Sequence, residues 1–388
     1  MYKIQTMNKI APRGTDILAA AGCQVGPDVT GADALLVRSA KLHDVEFDPS
    51  LLCIGRAGIG VDNIPLDRCT AANIAVFNTP GANAEGVKEL LVCALTLASR
   101  DIIGGESWVR SLADQGDKLP AAVEKGKSAF AGPELNGKKL GVIGLGAIGS
   151  KVANAALKLD MEVYGYDPFL SVEAAWSLSS KVHHVTDLDT LYRTCDYFTM
   201  HIHATKETYH YMDAAAFAKM KPGARIMNFA RGELVDDDAL LEAIRNGQVA
   251  KYVTDFPNAK IVGQKGVIAL PHLGASTPES EEKCAAMAAR ELLDYLENGN
   301  VTNSVNFPAA SLERMGECRL CILHDNKPGM LNQFLEKIAG ENANVEHMLN
   351  KARGDIAYTL FDITPALSDA TAEALRAIPG VRLVRLLK

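Results

Sequence analysis

No run of about 18 apolar residues occurs in the 388-residue chain, which excludes a hydrophobic membrane-spanning helix. The opening stretch MYKIQTMNKIAPRGTDILAA lacks the apolar core and small-residue cleavage site of a secretory leader, so the cytosol is the expected compartment. Positive charge is not in excess either. With 40 Lys and Arg against 47 Asp and Glu, the net charge of −7 argues against nucleic acid as the main partner. The 16 prolines are spread along the chain, and no segment is of low complexity. Eight cysteines are scattered, and only Cys318 and Cys321, in CRLC, lie close together. In a strand, residues three apart point to opposite faces, so no metal or redox pair is expected there. No repeat with a period of about 20 to 50 residues is visible.

What is present is a globular composition, 48% hydrophobic and 22% charged, over a length that suits two or three domains. The first hundred residues alternate short apolar runs (ALLVRSA, LLCIGRAGIGVDN, IAVFNTPGAN) with helical patterns, as βα units of a parallel sheet do. AEGVKELLVCALTLASRDIIGG then reads as one long amphipathic helix ending at Gly104 and Gly105. From KLGVIGLGAIG to GVIALPH, further βα units predict a second doubly wound domain. After Pro308 the order becomes βαββαβ, a separate ferredoxin-like module. The expected fold class is therefore α/β: two Rossmann-like domains, a flavodoxin-like substrate lobe and a dinucleotide lobe, followed by the small module. The boundaries read as 1–98 with 278–307, 99–277, and 313–388.

Three stretches carry chemistry. Gly144, Gly146 and Gly149 form GxGxxG between an apolar strand and a helix, whose N-terminal amides can hold a pyrophosphate. Asp167 closes the next strand, where an acid suits the ribose hydroxyls of NAD and repels the 2′-phosphate of NADP. In NFARGELVDDDAL, Arg231 and Gly232 end a strand at the carboxyl edge of the sheet, and a guanidinium there can grip a carboxylate through two hydrogen bonds. His272, in LPHLGAST, follows the last apolar strand of the same domain and can exchange a proton near neutrality.

Together with VRSAKL, RAGIGVDNI and NTPGAN, these motifs resemble the D-isomer-specific 2-hydroxyacid dehydrogenases over residues 35 to 307. SVNFP and HDNKPGML are similar to the joint and start of a C-terminal ACT domain, as in members acting on a phosphorylated 2-hydroxy acid. The resemblance implies NAD as cofactor, with Arg231 binding the carboxylate and 2-oxygen and His272 as the acid/base. Ile59 and Gly60 would cradle the carboxylate with backbone amides, while Arg38, Ser39 and Asn83 would line the phosphorylated end. Thr79, Ala147, Ile148, Ile202, Phe229, Ala230 and Asp255 would join the glycines and Asp167 around the cofactor. It also implies a homodimer or homotetramer, and L-serine as an effector held by His324, Asn326 and Asn344 across a subunit interface.

Two departures stand out. The family has a glutamate in D-V-F-x-x-E-P that hydrogen-bonds the histidine; here the matching position is Lys260, and no carboxylate lies between Asn258 and Leu270. An ammonium beside His272 would favour its neutral form. Three alternatives stay open: Lys260 faces solvent and Glu279, Glu281 or Glu282 serves the histidine; water or a backbone carbonyl orients it; or the chain binds NAD with most activity lost. The second departure is His203, where relatives have proline, which reads as a packing group.

Overall fold

The apolar runs of the first 83 residues become five short strands, β1 (Lys3–Thr6), β2 (Gln24–Gly26), β3 (Ala34–Val37), β4 (Cys53–Arg56) and β5 (Ala75–Phe77). Helix α1 (Pro12–Ala20) connects β1 to β2, and α2 (Leu66–Ala71) connects β4 to β5. The computed structural model describes residues 1–388, the Glu173 side chain excepted. All pairings among these strands are parallel, in the order β2-β1-β3-β4-β5. Every residue of β3 and β5 is buried, which explains runs without apolar and polar alternation.

Residues 84–277 form one of two compact units; residues 1–83 and 278–388 form the other. The unit starts with α3 (Ala84–Ser99), α4 (Ile102–Ser111) and α5 (Leu119–Gly126). The long helix expected over 84–105 is broken at Asp101, whose side chain accepts from the Gly104 amide and caps α4 instead. There follow β6 (Lys139–Ile143), α6 (Ala147–Leu157), β7 (Glu162–Tyr166), α7 (Val172–Ser177), β8 (His183–His184), α8 (Leu188–Thr194), β9 (Tyr197–Met200), α9 (Ala214–Lys219), β10 (Ala224–Asn228), α10 (Asp237–Arg245), β11 (Val249–Thr254) and β12 (Val267–Ala269). The seven strands are parallel in the order β12-β11-β10-β9-β6-β7-β8. The winding reverses between β6 and β9, and ligands of such sheets bind outside the carboxyl ends at that point.

Helix α11 (Pro278–Asn298) leads to β13 (Cys318–Asp325), α12 (Met330–Ala339), β14 (Asn344–Arg353), β15 (Ile356–Thr364), α13 (Asp369–Arg376) and β16 (Val381–Leu387). The last four strands form an antiparallel sheet, β14-β15-β13-β16, in the βαββαβ order read from the sequence. One sheet face packs Cys318, Ile322 and Phe361 against Phe334 and Leu375 of its helices. The other puts Cys321 and Tyr358 in a common core with Tyr295 and Leu296 of α11, so the two neighbouring cysteines do face apart. Basic side chains meet the last turn of α11, where carbonyls run out of helical partners after Tyr295 O accepts from Gly299 N at 3.0 Å. Arg385 donates to Tyr295 O at 2.9 Å and Leu296 O at 2.6 Å. Arg319, fully buried, donates to Asn298 O at 3.0 Å and to both oxygens of the buried Asp362 at 2.6 and 2.8 Å. Among the described residues, no helix is long and apolar enough to cross a membrane.

Candidate active site

The turn after β6 has the geometry a dinucleotide needs. Gly144 adopts φ +86°, and a Cβ there would lie 2.7 Å from the His201 carbonyl oxygen. A Cβ on Gly149 would run into the Gly144 carbonyl, whereas one on Gly146 would meet nothing. The first and third glycines therefore close the loop on α6, and the second leaves room beside it. Helix α6 begins at Ala147 with no side-chain cap, so the amides of its first turn, Ala147 and Ile148 included, remain available to a phosphate. Asp167 sits just past β7. Its Oδ2 accepts from the Leu145 amide at 2.8 Å and its Oδ1 from Phe169 N at 2.9 Å, so the acid is fixed against the glycine loop. Ile202 packs beside Gly144.

The histidine nearest this loop is His201, one that sequence reasoning passed over in favour of His203. Its Nε2 lies 3.1 Å from Thr199 Oγ1, and burial pushes the imidazole down to about 3, leaving a neutral ring beneath the loop. His203 is exposed, and its carbonyl accepts from Thr208 Oγ1. The available signal was position: His201 directly follows the apolar run YFTM at the carboxyl edge of the sheet.

Arg231 and His272 come together at the ends of β10 and β12. The Phe256 ring neighbours both, 4.8 Å from the His272 ring and 6.0 Å from the Arg231 guanidinium carbon. Arg231 is placed by a residue not singled out before, the buried Asn228. Its Nδ2 donates to Arg231 O at 2.8 Å and to Tyr252 Oη at 3.1 Å, and its Oδ1 accepts from Ala230 N at 3.1 Å. Thr254 Oγ1 in turn donates to Asn228 O at 2.9 Å. Phe229, just past β10, is buried, whereas Ala230 is only partly covered.

A cavity of about 470 Å³ opens here, lined among others by Glu233, Asp237, Asp255, Phe256, Asn258 and His272. Asp255 is buried; its Oδ2 accepts from Gly274 N at 2.9 Å, and its Oδ1 has no protein partner. Burial pushes its carboxyl above the usual range, against the pull of the Gly274 amide and the nearby His272. Asp255 thus ties the loop that carries His272. Lys260 does not stand beside the imidazole. Its exposed ammonium lies 2.8 Å from Asp238 Oδ2 at the start of α10, and that ion pair raises its pKa.

In the other unit, Arg38 pairs with Glu281 at 2.5 Å, so this acid already has a basic partner. Glu279 and Glu282 are exposed. Ser39 Oγ accepts from Asn8 Nδ2 at 3.4 Å. Ile59 and Gly60 follow Gly58, which has φ +148° and accepts at its carbonyl from the buried Thr79 amide at 3.0 Å. Asn83 is buried and its Oδ1 is unpartnered. In the C-terminal module His324 is buried, with Nε2 2.9 Å from Thr359 Oγ1 and Nδ1 2.8 Å from Asp325 O. Asn326 Nδ2 donates to Gly354 O at 3.1 Å, and the exposed Asn344 donates to Glu346 Oε1 at 3.1 Å. Both His324 nitrogens are thus engaged within the module.

A glycine turn closed on an uncapped helix start, an acid past the next strand, and an arginine and a histidine past the ends of β10 and β12 suit one class, a nicotinamide-dependent oxidoreductase of small acids. The family model for the D-isomer specific 2-hydroxyacid dehydrogenase, NAD binding domain matches residues 94–274. The chain is 32% identical over 358 residues to the D-3-phosphoglycerate dehydrogenase of Haemophilus influenzae, covering 88% of this chain and 83% of that one. It is 36% identical over 296 residues to the enzyme of that name from Bacillus subtilis, covering 74% of this chain but only 54% of the relative. The crystal structure of NAD+-bound 3-phosphoglycerate dehydrogenase from Entamoeba histolytica superposes with a TM-score of 0.60 at 27% identity, covering 79% of this chain and 98% of that one. The chain belongs to the D-isomer-specific 2-hydroxyacid dehydrogenase family and uses NAD.

Proposed function

We propose that the chain oxidises D-3-phosphoglycerate to 3-phosphohydroxypyruvate with NAD, the first step of L-serine synthesis. The observation that carries this reading is that Arg231 and His272 both neighbour the Phe256 ring in a chain whose curated relatives bear that enzyme's name. The glycine turn, the uncapped start of α6, Asp167 and the unpaired Asp255 Oδ1 fit the pyrophosphate, ribose and carboxamide of the cofactor. Bound there, NAD supplies the hydride acceptor. Arg231 holds the carboxylate and 2-oxygen of the substrate, and His272 takes the hydroxyl proton from the same carbon centre. Asp255, through Gly274, sets the loop that presents the imidazole, while Lys260 stays with Asp238. Arg38, Ser39 and Asn83 serve the phosphorylated end, where a basic side chain suits phosphate.

The C-terminal βαββαβ module is read as an ACT domain that binds L-serine through His324, Asn326 and Asn344. Helix α4 has no buried residue and exposes Ile102, Ile103 and Val109, which supports a homodimer formed through the NAD lobe, with the modules joining dimers. The cytosol is the compartment this metabolism implies. The test follows NADH absorbance with D-3-phosphoglycerate, hydroxypyruvate and glyoxylate, with and without L-serine. Turnover confined to the phosphorylated acid supports the reading. Preference for hydroxypyruvate or glyoxylate makes the chain a reductase of those acids, and no turnover leaves an NAD-binding regulator.

A further inference from the structure

The backbone turn Gly58–Gly60 is held from behind by the first residue of NTPGAN, a side chain to which the sequence assigned no role. Asn78, just past β5, donates from Nδ2 to the Ile59 carbonyl at 2.8 Å. Because the peptide between Ile59 and Gly60 is planar and trans, fixing that carbonyl aims the Gly60 N–H the opposite way. Asn78 is itself anchored. Its backbone amide donates to Asn303 O at 3.4 Å, and Asn303, in the left-handed region at φ +57°, donates from Nδ2 to Glu291 Oε1 at 2.7 Å.

Glu291 lies on α11, 8% exposed, and its Oε2 has no partner. A carboxyl buried to this degree costs desolvation that an apolar side chain would avoid. What it provides is the acceptor that holds the Asn303 loop.

We propose that Asn78, anchored through Asn303 by Glu291, is a positioning residue that aims the Gly60 amide at the substrate's carboxylate. This rests on the reading of Ile59 and Gly60 as the carboxylate cradle. An amide fixed before the substrate arrives spends no binding free energy on ordering the turn, so its loss falls on substrate affinity.

The experiment uses the full chain and NADH-dependent reduction of 3-phosphohydroxypyruvate. Asn78→Ala raises KM for the keto acid about tenfold, the effect of one well-aligned hydrogen bond to a charged group, while kcat and the KM for NADH stay within about twofold. Glu291→Ala moves KM in the same direction, and Glu291→Gln, which keeps an acceptor for Asn303, restores it. Amide exchange at Gly60, followed by NMR without substrate, accelerates in Asn78→Ala. An unaltered keto-acid KM and Gly60 exchange in Asn78→Ala, with an active wild type, overturn the proposal alone. A joint loss of kcat and NADH affinity also overturns it, because that is the mark of general damage. A wild type that reduces no 2-keto acid overturns the site reading and this inference with it.

Discussion

Replacing Glu291 by Gln tests a buried acid that has no basic partner through stability, independently of turnover. The carboxyl is 8% exposed and meets one hydrogen-bond donor, Asn303. Burial pushes its pKa from the ordinary 4.5 to about 8, against the weaker pull of Asn303. The native state therefore keeps a proton that the unfolded chain releases between those two values. Stability is full below about pH 4.5, falls as pH rises, and levels off above about pH 8. At 1.36 kcal/mol per pKa unit, the loss reaches up to about 5 kcal/mol. Glutamine cannot ionise, has the same shape, and still accepts from Asn303.

The two proteins should then unfold alike in urea near pH 4.5, with the variant progressively more stable toward pH 8.5, its midpoint rising relative to wild type by an amount set by the m-value. Circular dichroism across that range, on full chains without NAD, gives the comparison. Parallel pH profiles for the two proteins would refute the reasoning, since they would mean that the carboxyl ionises with equal ease folded and unfolded.

Other expectations come from single contacts. Lys260→Ala leaves the pH–rate profile and the thermal midpoint essentially unchanged, because it removes only a surface pair with Asp238; a displaced profile would place the ammonium at His272. Gly146→Ala folds normally but binds NADH more weakly in a fluorescence titration, since the added methyl fills the space next to α6. Gly149→Ala also loses stability, because its Cβ strikes the Gly144 carbonyl, and equal thermal midpoints for the two variants would contradict this. Arg319→Met strands Asp362 in the core and costs about 3 to 5 kcal/mol, seen as faster hydrogen exchange in β13 and β15; unchanged exchange there would show that the pair does not hold the sheet.

The linear order of residues was enough for the repeating βα pattern, the βαββαβ end, and the glycine turn of residues 144–149. Each depends on neighbours within one turn or one strand: apolar spacing selects the element, and a left-handed φ selects glycine. Arg231 and His272 were legible for the same reason, as polar residues placed where apolar strands end.

Tertiary structure decided what lies beside them. Counting along the chain put Lys260 at the place of an acid, but the loop from Pro257 to Gly266 turns its ammonium to Asp238 on another element. Asn228 against Tyr252, His201 beneath Gly149, Asn78 behind Gly60 and Asp362 against Arg319 are contacts between separate strands and loops. A side chain's type shows which hydrogen bonds it can make. Only the packed sheets and helices select the partner, because burial removes the water that would otherwise satisfy those groups.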